Sequence, residues 1–407
     1  MTAPLAHIRV LDLSRVLAGP WAAQFLADMG AEVIKIEKPG EGDDTRGWGP
    51  PFVREPSAGD PGMSAYFLCA NRGKKSVTVD MAAPQGQALI HKLAAKSDVM
   101  IENFKVGGLA KYGLDYASIK AINPGIVYCS ITGYGQDGPY ASRAGYDFLV
   151  QGMGGLMSVT GEPDSMPGGG PVKVGVAISD QIAGMNALAG ILAALVRRER
   201  TGEGDHIDVA LLDATVSSLI NQASTHLVAG TVPTRMGNAH PTVVPYQAFP
   251  TAKGHIILAI GNDGQFARFC KATGLGELAN DARFATNTQR IINRAALIPQ
   301  IAAALKQRTA NEWIATFDPI AVPCGPINTI DQVFQDPQVR ARHTMRTLEH
   351  AEAGPLPVVA NPVRMASHDS TAPKAPPLLG EDTDDVLRAV LGLTAAEIAK
   401  LHDNGVV

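Results

Sequence analysis

Short apolar runs alternate with longer amphipathic segments through the N-terminal third of the chain, and this alternation constrains the fold most. Ile8–Leu13 reads as a strand. Pro20–Met29 reads as a helix, with proline early in it and Gly30 just past its end. Glu32–Glu37 alternates as a second strand would, and Ser76–Asp80 reads as a third. A helix follows from about Pro84 to Ser97, then short apolar strands at Val99–Glu102 and Ile126–Ile131. Strands that alternate with helices predict a parallel sheet covered on both faces, an α/β architecture of Rossmann-like type.

The pattern changes after about Leu227. Tyr246–Pro250 and His255–Gly261, joined at Lys253 and Gly254, predict a hairpin. Helical segments run to about Phe317, and Val322–Ile327 is a turn-rich strand region. The expected organisation is a large α/β domain over 1–227, a smaller α+β domain over 228–330 and a C-terminal segment over 331–407. That last segment contains a proline-rich linker, Thr371–Pro377, and a final short helical pair.

At 407 residues the chain has length for two or three domains of ~150 residues. A net charge of -4 advertises no nucleic-acid surface. Cys69, Cys129, Cys270 and Cys324 are far apart, without CxxC spacing, so neither a disulfide framework nor a zinc site is indicated. A reducing, cytoplasmic setting fits. The N-terminus lacks a basic stretch followed by an apolar core, and the apolar stretch Ala187–Val196 falls short of the ~20 residues that span a bilayer.

Asp180 is the most informative single residue. It stands between the apolar run Val174–Ile178, read as a strand or turn, and the apolar helix Ile182–Val196, which is closed by Arg197–Arg200 and Gly202. One reading is an N-cap, accepting the unpaired N–H groups of the first turn. The other is a carboxylate nucleophile, kept ionised by the same groups. Upstream, Gly161–Pro171 carries three consecutive glycines and three prolines, and reads as a mobile loop. It could shield a reaction from water or be an ordinary surface loop.

Several segments taken in order carry a resemblance. They are Val10–Pro20, Met29–Pro39, Gly42–Pro51, Asn71–Ser76, Glu102–Phe104, Ser130–Gly135, Ala144–Asp147 and Pro376–Thr383. The chain resembles the family III CoA-transferases, the formyl-CoA transferase and carnitine CoA-transferase group, over almost its whole length. Gly42–Pro51, Ser130–Gly135 and Gly237–Phe249 look most like the succinyl-CoA:dicarboxylate branch, which includes the glutarate and hydroxymethylglutarate enzymes. The resemblance implies an interlocked homodimer, a tail that returns to the large domain, and Asp180 as the acyl-carrying catalytic residue. It also implies a CoA thioester as substrate with no permanently bound cofactor, and a small, dicarboxylic acid as partner.

The resemblance assigns CoA contacts to Val16, Leu17, Ala18, Lys38, Val79, Asn103, Phe104, Lys111 and Tyr146. Taken alone, Lys38 and Lys111 would be solvated charges, and Asn103 and Phe104 a turn residue and a core residue. Trp48 matches a residue lining the acyl pocket, or is an ordinary half-buried aromatic; Asp147 joins it on the substrate side. Tyr146 stands where the superfamily's racemases have a histidine, so the pair needed to move an α-proton is missing. A dicarboxylic acceptor needs a cation at its distal end. Arg46, Arg72 and Arg143 flank the expected pocket, Arg46 foremost, unless Arg46 pairs with Asp43 or Asp44.

Other chemistries fit poorly. Gly73–Ser76 lacks the upstream glycine of a phosphate loop, there is no Gly-x-Ser-x-Gly elbow and no HExxH, and the ten histidines are scattered. Gly152–Gly155 has the wrong spacing for a dinucleotide loop. CoA transfer therefore leads; the alternatives are an acyl-CoA racemase or isomerase and a non-catalytic acyl-CoA-binding protein.

Overall fold

The computed structural model describes residues 3–366 and 374–407. Of the expected proline-rich linker, Thr371–Pro373 lies outside them. The chain divides into two compact units. The first comprises residues up to Leu156, Val174–Ser224 and Gln338–Val407; the second comprises Met157–Lys173 and Thr225–Pro337.

In the first unit the chain runs β1 (Arg9–Asp12), α1 (Ala18–Asp28), β2 (Glu32–Glu37), a small hairpin of β3 (Phe52–Arg54) and β4 (Met63–Ser64), and the short α2 (Ala65–Leu68). There follow β5 (Lys74–Thr78), α3 (Pro84–Ala94), β6 (Val99–Glu102), α4 (Tyr116–Ile122) and β7 (Val127–Thr132). Next comes α5 (Asp147–Met153); the single turn α6 (Leu156–Val159) leads into the second unit, and the first resumes with α7 (Ile178–Thr201), β8 (Asp205–Ala210) and α8 (Leu211–Ser217).

Six strands form one sheet in the order β5-β2-β1-β6-β7-β8, and every neighbouring pair is parallel. This is the doubly wound order, in which the chain leaves β1 in one direction for β2 and β5 and in the other for β6 to β8. The order reverses between β1 and β6, so a crevice opens there beyond the strand ends.

Alternate residues of each strand face opposite cores. Val10, Val33, Ile101 and Cys129 meet Ala22 and Leu26 of α1 and Ala187 and Ile191 of α7. Leu11, Ile34, Val77 and Met100 meet Leu89 and Ile90 of α3, together with Val386, Leu387, Ile398 and Val406 near the C-terminus. The helices Thr383–Leu391 and Ala395–Asp403 thus cover one face. The edge of β5 is closed by side chains as well: Ser76 N–H donates to Asp382 and Thr78 N–H to Thr383 Oγ1, both at 3.0 Å.

Two expectations need correction here. β8 was not foreseen; its Asp205, His206 and Asp208 give an edge strand a polar pattern. Helix α7 is also longer than expected. Its 24 residues are long and apolar enough to cross a membrane by length and composition alone, with mean hydropathy 1.3 over its most apolar window. Here it lies on the sheet, with Ala183, Ala187, Ile191 and Leu195 buried against it.

In the second unit β9 (Tyr246–Pro250), β10 (His255–Ala259) and β11 (Cys324–Pro326) form an antiparallel sheet with β10 central. Phe249, Ile256, Phe269, Trp313 and Phe317 make its core with the helices between β10 and β11. The Gly161–Pro171 segment is tied down within this unit. Arg235 donates to Glu162 O at 3.2 Å and pairs with Asp164, and Gly237 N–H donates to Gly161 O at 3.0 Å. After this unit the chain adds the hairpin β12 (Met345–His350) and β13 (Gly354–Val359) to the first.

Candidate active site

The crevice where the strand order reverses is built from three turns. The first follows β1. Arg15 N–H donates to Asn103 Oδ1 at 2.8 Å, and Asn103 Nδ2 donates back to Arg15 O at 2.6 Å. Asn103 thereby joins the ends of β1 and β6, the two strands at the switch. The second turn, after β6, carries Phe104, whose N–H donates to Glu102 Oε2 at 2.8 Å. The Arg15 guanidinium lies 5.1 Å from the centre of the Phe104 ring. The third turn follows β7, where the backbones of Gly133 and Gly145 approach too closely for any side chain at either position.

Between them lies a cavity of about 590 Å³. Its lining includes Val16, Leu17, Ala18, Trp48, Asn103, Phe104, Lys111, Tyr146 and Asp180. With Arg143, ten of the residues singled out from sequence therefore meet in one place. Val79 and Lys38 line an adjacent cavity of about 330 Å³, which shares Arg15, Asp44, Met81, Phe104 and Tyr112 with the first. The two form one continuous groove from Asp180 to Val79. Lys38 is exposed at its far end and pairs with Glu41.

Asp180 is the third residue of α7, not its cap. Ala177 occupies the cap position and offers no side-chain bond. The first turn is held instead from α5: Asp147 Oδ1 accepts the Ser179 N–H at 2.8 Å, and its Oδ2 accepts Gln151 Nε2 at 2.8 Å. Gln151 in turn accepts the Val174 N–H at 2.8 Å, fixing the approach to the helix. The Asp180 carboxyl is thus left free of capping bonds. Burial, with Asp147 nearby, pushes its pKa up to about 7. The expectation that helix N–H groups keep it fully ionised gives way to the opposite perturbation.

Two substrate-side expectations also change. Asp147 does not line the cavity, because both its oxygens are committed to α5 and α7. Arg46 is wholly buried. Its Nε and Nη2 pair with both oxygens of Glu37 at 2.8 and 2.7 Å, and its guanidinium lies 3.8 Å from the centre of the Phe67 ring. Neither Asp43 nor Asp44 is its partner, and no face is left for a ligand. Arg72 is likewise buried against Asp28. Of the three arginines only Arg143 lines the cavity with Asp180; it is exposed, over the rings of Tyr134 and Tyr140.

The comparisons with known proteins agree with this geometry. Residues 5–383 match CoA-transferase family III. The chain belongs to that family. It is 49% identical over 384 residues to the succinate–glutarate CoA-transferase of Agrobacterium fabrum, covering 94% of this chain and 95% of that one. It is 42% identical over 404 residues to the human succinyl-CoA:glutarate CoA-transferase, covering 99% and 90%. Among solved structures it resembles a CAIB/BAIF family protein from Brucella suis, with a TM-score of 0.84 and 47% identity over 96% of this chain and 100% of that one. It is a CoA-transferase, and its substrates are CoA thioesters.

Within this CoA-transferase, sequence reasoning missed Tyr66. It packs edge-on against Trp48, ring centres 5.3 Å apart, and burial together with the Asp180 charge pushes its pKa up to about 12. Tyr66 sits on the single turn α2, where no local pattern distinguishes it. Arg15 was missed beside Val16–Ala18, although it lies in the same motif. Glu102 carries a perturbation of its own: burial pushes it up to about 7 behind the Asn103–Phe104 turn. Among the described residues, no group of three or more His, Cys, Asp or Glu is placed to hold a metal ion.

Proposed function

We propose that the protein transfers CoA from succinyl-CoA to a dicarboxylic acid, with Asp180 as the nucleophile. The observation that carries this reading is a half-buried carboxyl with no paired cation among the described residues, lining a cavity that adjoins a second one along shared walls. The Asp180 carboxylate attacks the thioester carbonyl and expels CoA thiolate, leaving a mixed anhydride. The thiolate attacks the Asp180 carbonyl and releases succinate, leaving an aspartyl-CoA thioester. The acceptor carboxylate attacks that thioester and again expels CoA thiolate. The thiolate then takes the acceptor's acyl group and frees Asp180. Every bond broken is matched by one formed, so no ATP is needed.

In this reading Val16–Ala18, Asn103, Phe104 and Lys111 hold the pantetheine arm, and Val79 and Lys38 flank the nucleotide end. Tyr146 covers the acyl side next to Trp48. A phenol hydroxyl donates a hydrogen bond and is a poor base, which weighs against a racemase. Arg143 takes the distal carboxylate, since its planar guanidinium can make two parallel bonds. The preference for succinyl-CoA and a dicarboxylic partner is supported by the relatives' named substrates. A homodimer is supported by exposed apolar side chains on neighbouring helices, Phe148 and Leu149 of α5 and Met185 and Val196 of α7.

Incubation with succinyl-CoA, trapping with hydroxylamine and peptide mapping tests the mechanism. The adduct is expected on Asp180, and CoA should appear on glutarate-like acids in a panel of acceptors. A fully active Asp180→Ala protein would overturn it.

A further inference from the structure

The turn that leads from β1 into the groove has an unusual backbone. Val16 lines the cavity and has φ of 70°. A β-branched residue is strained in that left-handed region, and it persists there only when its surroundings over-determine it.

The surroundings do so with side chains. Ser14 N–H donates to Asp12 Oδ1 at 3.0 Å, and Ser14 O accepts Lys35 Nζ at 2.8 Å. Both backbone groups of Arg15 are taken by the Asn103 amide. Val16 N–H is shared by the two oxygens of Asp43, each at 3.3 Å. Five successive backbone polar groups thus meet side chains. Asp43 is itself fixed: it is buried, accepts Lys35 Nζ at 2.8 Å, and accepts Thr45 N–H and Oγ1 at 2.9 and 2.7 Å. Lys35 is also fully buried, so one ammonium grips both ends of the turn, at Ser14 O and through Asp43 at Val16. Asp43 and Lys35 do not line the cavity that holds Asp180; they lie behind the wall of the adjacent one, with both side chains wholly buried.

We propose that Asp43, clamped by Lys35, is a positioning residue that holds Val16 in its left-handed conformation and so shapes the wall against which the acyl-CoA lies. The inference rests on the reading of the groove as the CoA site. It goes beyond that reading by assigning specificity for the thioester to an ion pair whose side chains are wholly buried and which acts through the backbone of Val16. A fold-stabilising pair alone would not depend on the residue at position 16. A clamp on strain does, because glycine adopts φ of 70° without strain.

The experiment measures KM for succinyl-CoA and kcat in four proteins: native, Asp43→Asn, Val16→Gly and the double variant. Asp43→Asn should raise KM about tenfold in the native background, with kcat changed less, as misplacement of a binding wall predicts. On the Val16→Gly background the same substitution should change KM by no more than about twofold. An equal rise in both backgrounds overturns the clamp. Should Asp43→Asn fail to fold, the melting temperature of Val16→Gly decides alone. Relief of strain should leave it at or above that of the native protein, and a fall of several degrees, as glycine gives at an unstrained site, overturns the proposal. Phe104→Ala separates the two levels of inference. If it raises KM while Asp43→Asn does not, only the clamp fails; if neither does, the groove is not the CoA site and both fail.

Discussion

At Asp180 the chemistry depends on a proton. Its carboxyl is pushed from 3.8 up to about 7 by burial and by Asp147. The unfolded chain releases that proton near its ordinary value while the folded one retains it. Stability therefore falls as pH rises from about 4 towards 7, then levels once both states are ionised. Replacing Asp180 by Asn should raise the melting temperature at about pH 8, and the gain should vanish near pH 4. The same substitution should lower kcat by roughly 10³-fold or more. In the empty enzyme, kcat/KM should rise through a midpoint near 7 as the nucleophile ionises. A flat profile between about pH 6 and 8 would detach Asp180 from the rate.

The arginines separate just as sharply. Arg46→Met leaves Glu37 buried and unpaired. It should cost about 3–5 kcal/mol in denaturant unfolding, without favouring one acceptor over another. Arg143→Met should spare stability and raise KM about tenfold or more for dicarboxylic acceptors, leaving a monocarboxylate of similar length nearly unchanged. The sequence put Arg46 first of the three, and the fold puts Arg143 in the cavity instead. Only burial, a property of the folded chain, tells them apart: the partner of Arg46 is nine positions back on β2 and looks like an ordinary strand charge.

Among elements, α7 decides the geometry. Its apolar run and the glycine at its end were legible, since Gly202 closes it with φ of 74°. Its true start at Ile178 was not, because Asp147 on another helix supplies the bond that a local cap would have given. Gly184 lies one turn beyond Asp180 on the same face, and a Cβ there would stand 2.6 Å from the carbonyl of Ala18 on α1. Alanine is the better helix former by ~1 kcal/mol, but it would have to push the two helices apart. Gly184→Ala should therefore destabilise by about 1–3 kcal/mol. It should also lower kcat more than KM, by moving Asp180 away from the α1 end of the groove. Melting and steady-state rates on the same sample check both. The strands β1, β6 and β7 were readable from short runs that are mostly apolar because both faces are buried, and β2 from its apolar residues set among charges. The hairpin of β12 and β13 was not, because Pro355 and Pro357 interrupt any strand pattern.

At the scale of the molecule, strand alternation predicted a parallel sheet but not its order. That order brings residues near positions 16, 104, 146 and 180 to one crevice, and nothing in their spacing along the chain anticipates the meeting. The resemblance to known transferases supplied the grouping; the switch between β1 and β6 supplies its physical cause. If exposed α5 and α7 surfaces are covered by a second copy, sedimentation equilibrium should return twice the chain mass.

One consequence concerns biosynthesis. Thr78 and its partner Thr383 are 305 residues apart, and Val77 and Ile90 share a core with Leu387 and Val406. The ribosome makes the apolar face of β5 and β2 early and the helices that cover it about 300 residues later. Until then the part of that face that α3 leaves uncovered is open to whatever else binds greasy surfaces, so the nascent chain is a natural client for chaperones. A chain stopped at Gly380 should bind a hydrophobic dye strongly and precipitate when expressed without added chaperone, whereas the full chain should do neither. Equal dye binding by both would show that the early-made face finds other cover.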